Sequence, residues 1–264
     1  MARRSRLDAE LVRRGLARSR EQAAALVSAG RVEVRGAPAS KPAALVDPAD
    51  PVRVVDVTDE DGYVSRGAHK LAGALAEFGP QGLTVERKRC LDAGASTGGF
   101  TDVLLRAGAA EVVAVDVGYG QLAWSLRTDA RVRVVERTNV RTLRVEAIGG
   151  PVALTVADLS FISLRLVLPA LADCTEPDGD LVLMVKPQFE LGRERVGPRG
   201  VVRDPALRAE AVLAVARAAQ ALGWGTAAVT ASPLPGPAGN VEFFLWLRRD
   251  AGPVQEQMVE AVVG

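Results

Sequence analysis

Lys70 and Lys186 stand out because lysine is scarce in this chain. Only four of its 33 basic residues are lysine, so an ordinary basic position here is arginine. Lys186 follows the apolar run 181–185 and precedes a proline, which predicts that it ends a strand. A lysine can lose its proton when it is desolvated or crowded by positive charge, whereas an arginine cannot. Lys186 is therefore a candidate general base.

Two acidic residues stand at positions where they could act with these lysines. Asp158 ends the apolar run 152–157, and Glu242 stands at the start of the last predicted strand. Lys70 lies on the helix that enters the same domain, so the four charged groups could converge at one site. The alternative is that each of them forms an ordinary surface salt bridge at a strand end, which is the better interpretation for any single one. The four together, beside the loop described next, favour catalysis.

A glycine-rich loop between a predicted strand and a predicted helix is the second chemical feature. Residues 94–99 contain three glycines, which lack the Cβ atoms that would keep a bulky ligand away from the backbone. The loop therefore predicts a nucleotide-like ligand at the carboxyl end of a parallel strand. The candidate cofactor-binding residues of this stretch are Asp92, Gly94, Ser96, Thr97, Gly98, Gly99 and Phe100.

Polar residues at the ends of the neighbouring strands indicate the kind of ligand. Asp116 ends the second strand, where doubly wound folds place a carboxylate that accepts hydrogen bonds from ribose hydroxyls; a simple strand-end cap is the alternative. Asn139, after the third strand, could meet an adenine edge, and Asp158 completes the set. The glycine spacing does not fit the G-x-G-x-x-G pattern of dinucleotide sites. Together with the closing hairpin described below, this spacing resembles the S-adenosylmethionine-dependent methyltransferase fold.

Strands and helices alternate through most of the chain, which predicts an α/β fold with a buried parallel sheet. The predicted strands lie near residues 89–93, 111–117, 131–136, 152–157, 180–186, 224–231 and 241–247. A long helix is predicted over residues 205–222. The last two strands flank a proline-rich turn, so they form a hairpin rather than another βαβ unit.

The N-terminal region has a different composition. Residues 1–36 carry nine arginines against four acids, a net charge of +5, while the whole chain has a net charge of +1. Two short helices, the second capped by Ser19, precede strands at 31–35 and 52–57, and this α+β unit resembles the S4-type RNA-binding domain. The alternative is a solvated basic helix pair with no ligand. The candidate RNA-binding residues are Arg3, Arg4, Arg6, Arg14, Arg18 and Arg20, with Arg66 in the linker that follows.

Composition excludes several classes of protein. The chain has 264 residues, 48% of them hydrophobic, and no apolar run approaches the roughly 18 residues of a membrane span. The two cysteines give neither a disulfide framework nor a metal cluster, and His69 is the only histidine, which disfavours zinc chemistry. We expect a cytoplasmic, monomeric protein with no metal and no membrane partner.

Specific motifs carry a resemblance to the TlyA (hemolysin A) family over essentially the whole chain. These motifs are residues 94–100, 116–122, 157–163, 185–190 and 232–242. The resemblance implies a Rossmann-like class I methyltransferase domain similar to the FtsJ-type enzymes, joined to an S4-type domain. It also implies methylation of cytidine 2′-hydroxyls in ribosomal RNA, with S-adenosylmethionine as cofactor and a catalytic tetrad of Lys70, Asp158, Lys186 and Glu242.

From these patterns we divide the chain into an S4-like domain (1–62), a linker (63–66), an FtsJ-like domain (67–250) and a C-terminal tail (251–264), for which we predict a short helix. The arginine- and glycine-rich residues 188–204 predict a mobile basic flap over the substrate; a disordered insertion is the alternative.

Two other functions stay open, a non-catalytic RNA-binding protein and a cytolysin. Cofactor binding with turnover would separate the first from a methyltransferase, and liposome leakage would reveal the second.

Overall fold

The computed structural model describes residues 4–17, 19–55, 59 and 61–264, except the side chains of residues 193 and 198. Its N-terminal part is a small α+β unit. The elements in chain order are β1 (Ser5–Arg6), α1 (Leu7–Arg13), α2 (Arg20–Ser28), β2 (Val32–Val34), β3 (Ala37–Pro38), β4 (Leu45–Val46) and β5 (Val52–Val54). β2 pairs antiparallel with both β3 and β5, and β1 pairs antiparallel with β4.

A local cap and a small core hold this unit together. The Ser19 Oγ accepts a hydrogen bond from the Gln22 N–H at 3.1 Å, which confirms the predicted start of α2. Leu7, Leu11 and Val27 are buried between the helices and the strands. The predicted RNA-binding residues Arg3 and Arg18 lie outside the described residues, as do residues 56 and 57 of the strand predicted over 52–57.

The larger unit is a seven-stranded sheet with helices on both faces. Its elements are α3 (Ala68–Phe78), β6 (Arg89–Ala93), α4 (Gly99–Arg106), β7 (Glu111–Val115), α5 (Trp124–Arg127), β8 (Val132–Val135), β9 (Val152–Ala157), α6 (Leu164–Cys174), β10 (Thr175–Val185), α7 (Pro187–Glu190), α8 (Pro205–Ala221), β11 (Gly225–Ala231), β12 (Phe243–Arg248) and α9 (Glu256–Val263). The prediction of an α/β fold is confirmed, and the strand boundaries differ from the predicted ones mostly by one or two residues.

The strand order is β11-β12-β10-β9-β6-β7-β8. The five strands from β10 to β8 run parallel, and β12 runs antiparallel to both β10 and β11, as the predicted hairpin requires. The order reverses beside β6, between β6 and β9. In open α/β sheets the ligand crevice lies at the carboxyl ends of the strands at such a switch point.

Alternate residues of each strand face opposite sides of the sheet, so the strands contribute side chains to two hydrophobic cores. Leu91 of β6 packs in the core covered by α6, α8 and α9, while Cys90 packs in the core covered by α3 and α4. α9 belongs to the first of these cores, where Val259 is fully buried and Val263 nearly so. The short helix predicted within the C-terminal tail, residues 251–264, is therefore present and packs on the larger unit.

Candidate active site

Asp158, Lys186 and Glu242 lie next to one another because their strands are neighbours in the sheet. Asp158 follows β9 and Lys186 follows β10, which run parallel. Glu242 immediately precedes β12, which begins two residues later than the predicted strand over 241–247, and it stands one step beyond the antiparallel pair of Val185 and Phe243. Three charged side chains thus meet at the ligand edge of the sheet.

The two lysines form two ion pairs. The Lys70 Nζ lies 2.6 Å from the Glu242 Oε2, and the Lys186 Nζ lies 2.5 Å from the Asp158 Oδ1. The first pair is more deeply buried, since the side chains of Lys70 and Glu242 are 9% and 1% exposed. Asp158 is 22% exposed and borders open space. The structure therefore brings all four predicted catalytic residues to this edge, as one buried pair and one pair that reaches the surface.

Two further residues support this arrangement and were not among the predicted site residues. The Lys186 Nζ donates a hydrogen bond to the Ser160 Oγ at 3.0 Å. Glu190 accepts hydrogen bonds from the Leu164 N–H at 2.7 Å and from the Ser163 Oγ at 2.5 Å, and burial raises the pKa of the Glu190 carboxyl. The only signal in the sequence was that Ser160 and Glu190 fall within two of the motifs that carry the resemblance.

Asp116 holds the glycine-rich loop against the end of β7. Its Oδ2 accepts a hydrogen bond from the Ser96 N–H at 2.8 Å, and its Oδ1 accepts one from the Gly118 N–H at 2.6 Å. Asp116 thus does cap the strand end, as the alternative interpretation supposed. An ionised carboxylate offers about four acceptor positions, so two remain available to a ribose.

Gly94 lets the loop approach the neighbouring strand end. Its φ of +92° lies in the region that favours glycine, and a Cβ at this position would lie 2.7 Å from the Asp158 carbonyl oxygen. Gly98 has a φ of +100°, and a Cβ there would collide with the Leu126 side chain. Both glycines therefore permit a close backbone approach beside the crevice.

Asp92 lies beneath this loop and is completely buried. Its Oδ2 accepts a hydrogen bond from the Thr101 Oγ1 at 2.7 Å, whereas its Oδ1 is buried without a hydrogen-bond partner among the described residues. Burial raises the pKa of Asp92 to about 7, and the nearby Asp158 contributes to the rise. A cationic group placed here would satisfy the orphaned oxygen and stabilise the ionised form.

Two adjoining clefts surround the loop and share Gly94, Ser96 and Asp158. The larger, of about 450 Å³, is also lined by Asp116 and Asn139, and the smaller, of about 270 Å³, lies on the other side of the loop. The smaller cleft is also lined by Ser65, Arg66, Gly67, Ala95, Thr97, Gly99 and Phe100. The larger cleft suits a nucleoside because the carboxylates of Asp116 and Asp158 line it and can accept hydrogen bonds from ribose hydroxyls, whereas Asp92 lines neither cleft.

A third cleft, of about 780 Å³, continues from the larger of these two and is lined by Lys186 and Glu242. It shares Ser160, Phe161 and Ile162 with the larger cleft. We call the two clefts around the loop the cofactor clefts, because predicted cofactor-binding residues line them, and the third one the substrate cleft, because it borders Lys186 on the side away from the glycine-rich loop.

The predicted RNA-binding arginines differ in how strongly they are engaged. Arg14 is largely buried, and its guanidinium donates to Glu10 at 2.7 Å and to the Asp50 carbonyl oxygen at 2.7 Å. Arg6 and Arg20 both pair with Asp8, yet about half of each side chain is exposed. Arg4 is exposed. Arg4, Arg6 and Arg20 are therefore available at the surface, whereas the hydrogen bonds of Arg14 stabilise the N-terminal unit.

Comparisons with known proteins bear on both units. A profile of the FtsJ-like methyltransferase family matches residues 63–249, and a profile of the S4 domain matches residues 5–52. The 16S/23S rRNA (cytidine-2′-O)-methyltransferase TlyA of Mycobacterium tuberculosis is 66% identical over 94% of this chain and 91% of its own length. Hemolysin A of Brachyspira hyodysenteriae is 37% identical over 90% of this chain and 97% of its own.

A solved structure named as a hemolysin, from Streptococcus thermophilus, matches all of this chain and 95% of its own with a TM-score of 0.73 and 39% identity. In the part of the chain that the structure describes, no helix is long and apolar enough to cross a membrane.

Proposed function

Since the chain belongs to the FtsJ-like methyltransferase family and, within it, to the TlyA family with its S4 domain, we propose that it methylates the 2′-hydroxyl of a cytidine in ribosomal RNA. The observation that carries the proposal is the pairing of Lys186 with Asp158 and of Lys70 with Glu242 between the cofactor and substrate clefts. We further propose that the protein acts as a cytoplasmic monomer without a metal, and that the domains divide at residues 62, 66 and 250.

We propose S-adenosylmethionine as the cofactor, which when bound supplies an electrophilic methyl group. Asp116 would accept hydrogen bonds from the ribose hydroxyls, and the buried Asp92 would hold the first turn of α4 behind the glycine-rich loop through its hydrogen bond with Thr101. Asn139 lines the larger cleft, and its Oδ1 already accepts a hydrogen bond from the Arg141 N–H at 3.0 Å. The Asn139 amide is therefore held in a fixed orientation where an adenine edge could meet it.

Within the site, Lys186 takes the role of general base. The ribose hydroxyl is a poor nucleophile, so the site must align it and remove its proton. Asp158 and Ser160 hold the Lys186 Nζ at 2.5 and 3.0 Å, which fixes its direction. A general base acts as the free amine, so Lys186 first loses a proton to solvent and then takes one from the 2′-hydroxyl.

Lys70 and Glu242 position groups rather than exchange protons. The pair is buried, and the Lys70 Nζ also lies 3.9 Å from the Met184 sulfur of β10. Glu242 lines the substrate cleft and can accept a hydrogen bond from the ribose.

The test is methyl transfer from labelled S-adenosylmethionine to separated, unmethylated ribosomal subunits, with the modified nucleotide mapped. We expect label on a cytidine 2′-oxygen with the unaltered protein. Lys186→Ala should abolish transfer while calorimetry shows unchanged cofactor binding. No label on either subunit, despite cofactor binding, would favour a non-catalytic RNA-binding protein.

Lys186→Arg is the sharper variant because it keeps the positive charge next to Asp158 but cannot act as a base. We expect it to bind cofactor and RNA normally and to transfer no methyl group. An active Lys186→Arg protein would contradict the assignment of the base. Because relatives are named as hemolysins, leakage of phospholipid vesicles should be measured with the same preparation, and we expect none.

A further inference from the structure

Residues 191–204 border the substrate cleft, and we call them the basic wall. Leu191, Val196, Gly197, Arg199 and Gly200 line the cleft together with Lys186 and Glu242. The wall is structured: it contains short 3-10 turns at Arg193–Arg195 and Pro198–Gly200. A strand of nucleic acid whose ribose reached Lys186 would therefore pass along this wall.

Asn240 ties the wall to the catalytic edge of the sheet. Its side chain is 2% exposed, and it makes two hydrogen bonds to the backbone of the wall. The Oδ1 accepts from the Val202 N–H at 2.9 Å, and the Nδ2 donates to the Gly200 carbonyl oxygen at 2.8 Å. Asn240 stands two residues before Glu242. The position of the wall is thus set by the segment that also positions a catalytic side chain.

Arg199 occupies an unusual backbone position at the tip of this wall. It is the third residue of a turn that the Gly200 N–H closes on the Gly197 carbonyl oxygen at 3.1 Å, and its φ is +62°. Turns that need a positive φ at this position normally carry glycine. A residue held in such a conformation is strained, and strain of this kind is concentrated at functional sites.

The guanidinium of Arg199 has no hydrogen-bond or ion-pair partner among the described residues, whereas its neighbour Arg195 is paired with Glu210 at 2.6 Å. Arg199 lines both the substrate cleft and an adjoining groove of about 420 Å³, which it shares with Arg195 and Arg203. The groove also contains Asp204, whose Oδ1 accepts a hydrogen bond from the Ala206 N–H at 2.9 Å. An exposed guanidinium without a partner at the mouth of a cleft is suited to a phosphate, which it can hold with two parallel hydrogen bonds.

We propose that Arg199 binds a backbone phosphate of the RNA strand that carries the target ribose, and that Asn240 is the positioning residue that holds Arg199 in place. This inference rests on the proposed RNA substrate. It adds a phosphate contact on the larger unit, separate from the arginines of the N-terminal unit.

The test uses the salt dependence of binding to unmethylated ribosomal subunits, which counts phosphate contacts directly. Each contact contributes about 0.9 to the slope of log K against log salt for duplexes and about 0.7 for single strands. Arg199→Ala should lower the slope by about that amount and weaken binding several-fold, with cofactor affinity unchanged. Arg195→Ala is the matched control, since its guanidinium is committed to Glu210, and it should leave the slope unaltered. An unchanged slope for Arg199→Ala, or an equal loss for Arg195→Ala, would overturn the proposal.

The role of Asn240 is tested by asking whether the effects of substituting Asn240 and Arg199 are additive. Asn240→Asp keeps the acceptor for Val202 but loses the donor to Gly200, and we expect it to raise the KM for the subunit more than it lowers kcat. In the double variant, Arg199→Ala should add little to the effect of Asn240→Asp, because the guanidinium is already displaced. Fully additive effects would remove Asn240 from the proposal. Since the salt slope for Arg199→Ala is measured without turnover, absent methylation would count against the proposed function and not against the phosphate contact of Arg199.

Discussion

Lys70, Lys88 and Lys186 show at the scale of single residues how the same side chain takes different roles. Lys88 pairs at 2.7 Å with Asp180, which also accepts a hydrogen bond from the Trp246 Nε1, far from the clefts. Lys70 and Lys186 instead lie where strand ends meet. The scarcity of lysine therefore identified these residues as candidates, and their positions in the fold separate the structural Lys88 from Lys70 and Lys186, for which we propose catalytic roles.

Asp92 makes the stability of the cofactor-free protein depend on pH. Its pKa is raised to about 7 by burial, so between about pH 4 and pH 7 the unfolded chain releases a proton that the folded protein keeps. The Asp92 contribution therefore lowers the free energy of unfolding as pH rises through this window, by up to about 4 kcal/mol. Below about pH 4 the penalty is absent because both states are protonated.

Asp92→Asn should remove this pH-dependent contribution to the free energy of unfolding. We expect the variant to lose less free energy of unfolding than the unaltered protein between pH 4 and 7, as measured by urea denaturation at several pH values. If the free energy of unfolding changed equally with pH in both proteins, Asp92 would ionise normally in the folded state.

At the scale of elements, the loop between β6 and α4 can adopt its conformation only if it lies in close contact with the end of β9. Gly94→Ala would place a Cβ 2.7 Å from the Asp158 carbonyl oxygen, which is backbone and cannot swing away. Gly150→Ala is the matched control, because Gly150 has a φ of +120° but nothing within 4 Å of an added Cβ. Both substitutions strain the backbone, and only the first creates a collision.

We expect Gly94→Ala to lower the free energy of unfolding by about 1–3 kcal/mol more than Gly150→Ala does. It should also weaken cofactor binding, since the collision displaces Asp158 relative to the loop. Equal losses in chemical denaturation would mean that the loop relaxes without moving β9.

At the scale of the whole molecule, positive charge is concentrated in the N-terminal unit, which has the S4 domain profile. The structure separates surface arginines from buried ones there. Arg4 is exposed, whereas Arg14 joins Glu10 to the backbone near Asp50. The two residues should therefore respond differently to the same substitution.

Arg4→Ala should weaken binding to ribosomal RNA and lower its salt slope by the amount of about one phosphate contact, with an unchanged melting temperature. Arg14→Ala should lower the melting temperature instead, because it removes hydrogen bonds around the buried Glu10 carboxylate. If Arg14→Ala lowered the salt slope and left the melting temperature unchanged, its guanidinium would be an RNA contact after all.

The sequence by itself determined the α/β class, the closing hairpin and the strand ends that carry Asp158 and Lys186. These follow from local patterns, since apolar runs, turn residues and the chemistry of strand ends are readable within a few residues. The family profiles agree with the resemblance that the motifs carried.

Only the tertiary structure decided which side chains become partners. Lys70 and Glu242 are 172 residues apart, and their contact depends on α3 packing beside the end of β12. Asn240 and Val202 meet across 38 residues, and Arg14 and Asp50 across 36. No local pattern encodes such contacts, because they depend on the lateral order of strands and on how helices and loops pack against the sheet.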